Sequence, residues 1–224
     1  MAAAAEAKTA AATTATTATT ATAAVADGLG TRERLVRTAS RLLQHGGYEN
    51  TPVKQLVREA QATLGSLYHF FPGGKLELAV AAIHFGDEEF AEALRFGLST
   101  HADPARAVEA VAELLAEALE ASDWRDGCPV TTTALESVGR LPELQEACAQ
   151  AFANWQQLVA AKLLACGHPE AEARELAVTV INTLEGAEMT SQVTRSRTPL
   201  LLAGRHLSRL ISSYATGTAP GRSA

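Results

Sequence analysis

The chain has 224 residues, of which 47% are hydrophobic and 20% charged, with a formal net charge of −6. That length and apolar content allow one sizeable domain or a small one joined to a larger one, and charged residues interrupt every long apolar stretch before the roughly 18 positions of a membrane span. The three cysteines, Cys128, Cys148 and Cys166, form no CxxC pair and have no histidine at a ligand-like offset, which argues against a disulfide scaffold or a zinc site and for reduced thiols in the cytoplasm. No metal or cofactor is expected.

The first 27 residues are almost wholly Ala and Thr. They lack a basic start, a leucine-rich centre and an Arg-rich amphipathic pattern, so they read as a disordered tail rather than a secretory or transit signal. Beyond them the charge divides unevenly. Between Gly28 and Lys75 stand seven cations (Arg32, Arg34, Arg37, Arg41, Lys54, Arg58 and Lys75) and three anions, a local charge of +4, whereas from Leu76 onward the balance is −9. A short basic module ahead of a long acidic body points to an anionic partner for the module.

Within the basic module, Leu35, Val36, Ala39, Leu42 and Leu43 recur at helical spacing between Thr31 and His45, and Gly46-Gly47 ends that helix. Thr51-Pro52 predicts a second helix of about nine residues, with Thr51 as cap and Val53, Leu56, Val57 and Ala60 inward. A third runs from a Thr63 cap to Phe71, before Pro72-Gly73-Gly74. On it Leu64, Leu67 and Phe71 share one face, while Gly65, Ser66, Tyr68 and His69 point elsewhere. Two short helices with a tight connection match a helix-turn-helix, and the first helix completes a three-helix unit. Gly65 would let backbone approach a phosphate or base edge, Ser66, Tyr68 and His69 can donate hydrogen bonds, and Lys75 heads the next helix, where its ammonium and the N-terminal amides favour an anion.

From Lys75 the pattern is helical almost to the end. One helix reaches about Leu98, "DPARAVEAVAELLAEALEAS" supplies an Asp103 cap and Pro104, "DWRDGCP" is a loop, and further helices open near Pro129, Pro142, His168-Pro169 and Thr198-Pro199, the last ending near Tyr214. No alternating strand pattern of useful length occurs, so the class is all-α, with about nine helices.

The stretch "RERLVRTASRLLQHGGYENTPVKQLVREAQATLGSLYHFFPGGKLEL" resembles the DNA-binding domain of the TetR/AcrR family of bacterial transcriptional regulators, and "FPGGK" with "GCPVTTTALE" resembles its LmrA/YxaF-like branch more particularly. The resemblance implies a homodimeric, ligand-responsive repressor that reads double-stranded DNA, a palindromic operator, with its second and third helices. Thr51, Thr63, Gly65, Ser66, Tyr68, His69 and Lys75 match DNA-contacting positions of the family, and Lys54 and Leu64 complete the candidate set. Three residues depart from the family pattern: Gln61 where the turn usually has Gly, Leu64 where a polar or basic residue is common, and Phe70 where a second histidine is frequent. Gln61 predicts a strained turn. Leu64 either reaches a thymine methyl or packs.

For the body, the resemblance implies an effector cavity among the central helices and a four-helix dimer seam made by the last two. Candidate cavity residues for a hydrophobic or aromatic effector are Phe85, Phe90, Trp124, Cys128, Thr132, Leu135, Phe152, Trp155 and Val159, with Gln156 or Glu185 as polar anchor. The stripe of Leu200, Leu201, Leu207, Leu210 and Ile211, with Gly186 and Gly204 permitting close approach, serves either the seam or the subunit's own core. The organisation expected is a tail (1–27), a helix-turn-helix head (28–75), a ligand-binding and dimerisation body (76–217) and a flexible end (218–224). A helical small-molecule-binding protein or enzyme with a non-DNA-binding interaction module is the alternative, though no nucleophile–base pair, phosphate loop or metal constellation supports catalysis.

Overall fold

A computed structural model describes residues 28–215. The expectations for the Ala/Thr-rich tail and the segment 218–224 lie outside the described residues. Those residues form nine helices and no strand. They are α1 (Thr31–Gly46), α2 (Val53–Glu59), α3 (Leu64–Phe70), α4 (Lys75–Ser99), α5 (Pro104–Ala121), α6 (Pro129–Ser137), α7 (Pro142–Ala165), α8 (Glu170–Thr194) and α9 (Thr198–Ala215).

The helix starts follow local chemistry. Proline occupies the first turn of α5, α6 and α7, where its missing N–H costs nothing. Asp103 caps α5, accepting a hydrogen bond from Ala105 N at 3.2 Å, and Thr63 caps α3, accepting one from Ser66 N at 3.0 Å. The end of α1 is fixed by Gly47, whose φ of +72° suits glycine and whose amide donates to the Leu43 carbonyl at 2.8 Å. A Cβ there would also stand 2.7 Å from the Glu136 carboxylate, so α1 closes where only glycine fits.

The start of α2 differs from expectation. Thr51 is not its cap: Pro52 holds that position, and the Thr51 hydroxyl donates to the Gly47 carbonyl at 2.7 Å. Thr51 is 2% exposed, in a corner it shares with Leu43, Leu56 and Ala79. The helix is correspondingly shorter, seven residues.

Between α2 and α3, Gln61 takes φ +49°, the left-handed conformation anticipated for that turn. Arg34 on α1 stabilises it. Its Nε donates to the Ala60 carbonyl at 3.1 Å and its Nη2 to the Gln61 carbonyl at 3.3 Å, while Nη1 reaches the Leu29 carbonyl at 2.8 Å. A charge-assisted hydrogen bond is worth about 1.5–3 kcal/mol, enough to offset the ~1 kcal/mol penalty of a left-handed residue with a side chain.

One continuous hydrophobic cluster runs from Leu35 on α1 to Ile211 on α9. α4 joins the front helices to the rest, packing on α1, α5 and α7. α9 lies most extensively along α5, and Gly204 makes this possible, because a Cβ there would sit 2.7 Å from Ala112 Cβ. Of the α9 stripe, Leu200, Leu207 and Ile211 are buried in the subunit's own core, while Leu201 and Leu210 are half-buried. What α8 leaves uncovered is a different stripe, with Val178, Met189 and Val193 exposed. Among the described residues, no helix is long and apolar enough to cross a membrane.

Candidate nucleic-acid interface and effector groove

The outward face of α3 carries Thr63, Leu64, Gly65, Tyr68 and His69 in the open, with Ser66 half-buried. Leu67 and Phe71 are fully buried and anchor the helix. Leu64 lies on the exposed side, 45% accessible, rather than with them. The Ser66 and Thr63 hydroxyls are 2.9 Å apart, so both stand on the leading edge of α3. Lys75 Nζ rests 4.1 Å from the centroid of the Tyr48 ring, a cation–π contact that fixes the ammonium at the head of α4, and its pKa is lowered by partial burial. The helix start is partly occupied already, since Glu77 accepts from Gly73 N at 2.7 Å.

The cations of the head are not equally available. Arg34 holds the turn, Arg37 pairs with Glu33 at 2.9 Å and lies over the Phe85 ring, and Arg41 pairs with Glu59 at 2.9 Å. Lys54 and Arg58 on α2 are exposed with no ion pair among the described residues. Sequence reasoning passed over Arg58. Its position four residues after Lys54, on the same helical face, was the signal available. Thr51 leaves the candidate set, because its side chain is buried and its hydroxyl committed.

In the body, α6, α7 and α8 enclose an open groove of about 330 Å³ lined by Thr131, Phe152, Asn182, Glu185, Gly186 and Met189. Phe152 and Glu185 were expected there. Trp155 lies beneath it, fully buried between Phe90 and Phe152 at ring distances of 4.3 and 5.4 Å, its indole N–H donating to the Asp87 carbonyl at 3.3 Å. Val159 is core, Phe85 lies under the Arg37 guanidinium, Trp124 stands half-buried in the loop before α6 with φ +63°, and Gln156 is half-buried on α7.

Two expectations are corrected by the rotation of α6 about its axis. Thr132 faces outward and returns its hydroxyl to the Cys128 carbonyl, and Leu135 is 84% exposed, because Val130, Thr133 and Ser137 form the inward face. The hydroxyl that meets Glu185 belongs to Thr131, one residue earlier. Glu185 and Glu188 are only 8% and 7% exposed. Burial raises both carboxyl pKa values, that of Glu188 to about 8 with Glu185 adding to the effect, and raises the Cys128 thiol well above its usual range. Glu185 accepts a hydrogen bond from the Thr131 hydroxyl, yet its Oε1 and Glu188 Oε2 have no partner.

Two further contacts tie α6 to the front of the molecule. Glu136 accepts from the backbone amides of Tyr48 and Glu49, and Arg140 just beyond α6 pairs with Glu49 at 2.7 Å.

Residues 35–82 match the family described as bacterial regulatory proteins, tetR family, and residues 104–206 match the C-terminal domain of LmrA/YxaF-like transcriptional regulators. The HTH-type transcriptional regulator YxaF of Bacillus subtilis, itself uncharacterized, is 33% identical over 181 residues, 81% of this chain and 95% of that protein. The chain belongs to the TetR family. LmrA of Bacillus subtilis, an HTH-type transcriptional regulator, is 32% identical over 171 residues, covering 76% of this chain and 91% of LmrA. A TetR transcriptional regulator from Chloroflexus aurantiacus superposes with a TM-score of 0.67 at 28% identity, over 81% of this chain and 94% of its own. As a member of the TetR family the protein is a DNA-binding transcriptional regulator of the LmrA/YxaF-like branch, and not an enzyme.

Proposed function

We propose that the protein is a dimeric repressor that occupies a palindromic operator in the cytoplasm and leaves it when a small molecule enters the groove between α6, α7 and α8. The head, 28–75, reads DNA with Thr63, Leu64, Gly65, Ser66, Tyr68 and His69 on α3, while Lys54 and Lys75 meet phosphates. The body, 76–217, holds the effector and the partner subunit. The observation that carries the proposal is the double attachment of α6, which holds Thr131 on Glu185 at the groove and Glu136 on the amides of Tyr48 and Glu49 at the end of α1. A ligand that repositions α6 acts directly on the head, and any such ligand must bind one position better than the other.

Val178 and Val193, exposed on one side of α8, support the dimer, since large apolar side chains on a surface helix mark a contact face. A two-fold pair would set its α3 helices one helical turn of DNA apart, about 34–36 Å.

Selection of genomic fragments by the purified protein, followed by sequencing, tests the operator, with a palindrome expected. Sedimentation of a Val193→Glu variant tests the seam: we expect a monomer that no longer retains the palindrome. A variant that stays dimeric would remove α8 from the interface.

A further inference from the structure

The carboxyl groups of Glu185 and Glu188 are the unusual feature of the body. Both side chains are more than nine-tenths buried, and neither takes part in an ion pair among the described residues. Among the described residues one hydrogen-bond donor reaches them, the Thr131 hydroxyl, which is directed at Glu185. One oxygen of each carboxyl is left without a partner although shielded from solvent. A buried acceptor in that state has lost its water and gained nothing in return, which calls for a partner to complete it. Glu185 also lines the groove, whose other walls are the Phe152 ring, the Met189 thioether, Asn182 and the bare backbone of Gly186. A Cβ added at Gly186 would meet nothing within 4 Å, so the groove is open at that residue, next to Glu185 in the chain.

We infer that this groove takes an organic cation: a protonated amine carried on an apolar or aromatic body, with the ammonium donating to Glu185, Glu188 standing one turn further along α8, and the body lying on Phe152 and Met189. This rests on the effector half of the repressor proposal and names the chemical class of the effector. An ammonium brings several N–H donors and a positive charge to a place that has unused acceptors and no cation of its own. The aromatic wall adds attraction for a desolvated cation or its ring. A metal ion does not suit the site, because among the described residues no three His, Cys, Asp or Glu side chains converge to hold one. An anionic effector would bring its charge against the acceptor oxygens of Glu185. A purely apolar one would leave both oxygens unpaired.

The test uses three probes that share an indole ring and differ in side-chain charge: tryptamine, 3-ethylindole and indole-3-propionate. Isothermal titration calorimetry on the full-length protein at neutral pH should rank tryptamine first, by roughly tenfold or more over the neutral probe, with the acid weakest. Glu185→Gln and Glu188→Gln should each reduce that preference while binding of 3-ethylindole persists. The proposal is overturned by equal affinities for the three probes, by a preference that survives both substitutions, or by no tryptamine binding at millimolar concentration. Were a variant to unfold, the ranking on the unaltered protein still decides. If the substitutions change subunit dissociation in sedimentation and leave the ranking untouched, the carboxyls belong to the subunit contact and the inference fails. Operator retention measured on the same preparation separates the two proposals. DNA binding without cation preference removes the ligand class alone, and cation preference without DNA binding removes the operator alone.

Discussion

Glu136 on α6 accepts a hydrogen bond from the backbone amide of Tyr48, the second residue after α1, and from that of Glu49 beside it. A carboxylate thereby substitutes for backbone in ordering the chain where it leaves the first helix. Replacing Glu136 with Ala frees two amides and one structural link. We expect a loss of about 1–3 kcal/mol in stability, with faster hydrogen exchange at the Tyr48 and Glu49 amides. Unchanged exchange at those two positions would show that the link is not made in solution.

Gln61 sits at φ +49° in the turn of the helix-turn-helix. Glycine adopts that conformation without steric penalty, while adding some entropy to the unfolded chain. Gln61→Gly should therefore stabilise the protein modestly, by roughly 0.5 kcal/mol, as read from urea unfolding. Arg34→Ala should destabilise it, because the change releases the Ala60 and Gln61 carbonyls together. If both variants matched the parent, the guanidinium would not be supporting the turn.

Lys75 and Leu64 should behave differently towards DNA. Lys75→Ala removes a charge positioned over the Tyr48 ring, so it should weaken all sequences alike and reduce the salt dependence by about one phosphate contact. A change at Leu64, exposed on α3, should alter which bases are preferred. Fluorescence anisotropy at several salt concentrations, with the selected palindrome and single-base variants of it, distinguishes the two patterns.

Glu188 makes stability pH-dependent. Its carboxyl ionises near pH 8 in the folded state, against 4.5 for an unperturbed side chain. The folded chain thus retains a proton that the unfolded chain releases, and the associated stability is complete below pH 4.5 and disappears as pH rises through 8. Glu188→Gln should melt with the parent at low pH and above it in alkali, by an amount on the order of a few kcal/mol. Thermal melts across that range, with Glu185→Gln run beside them because the two acids interact, check the sign.

Helix boundaries were legible from sequence because the residues that set them act locally. Pro104, Pro129 and Pro142 each open a helix, and Thr63 caps α3 through its own hydroxyl. Gln61 also acts within its own turn. Orientation was not legible where it depends on a distant neighbour. Thr51 looked like a cap, but it is buried where α1, α2 and α4 meet, and its hydroxyl turns back four residues to the Gly47 carbonyl. On α6, nine residues long, one step of rotation separates Thr131 at the groove from Thr132 on the surface, and periodicity within so short a segment does not resolve 100°. Leu200, Leu207 and Ile211 of α9 turn inward where Gly204 meets Ala112 of α5, and α9 alone does not say which helix its glycine approaches. Glu185 was recognised as out of place among apolar neighbours. Glu188 interrupts the same apolar stripe, but only Glu185 was taken as an anchor, since nothing along the chain marks which of two acids lies deeper.

The burial of Cys128 beside Glu185 gives the three thiols unequal reactivity. Only the thiolate attacks an alkylating agent or peroxide, and both Cys128 and Cys148, held in apolar surroundings, resist forming it. Cys166 stands exposed just past α7. Iodoacetamide or a maleimide dye should consequently mark the folded protein at that one position, far along the chain from the DNA-reading helix, and leave the sulfur beneath the groove untouched until the body opens.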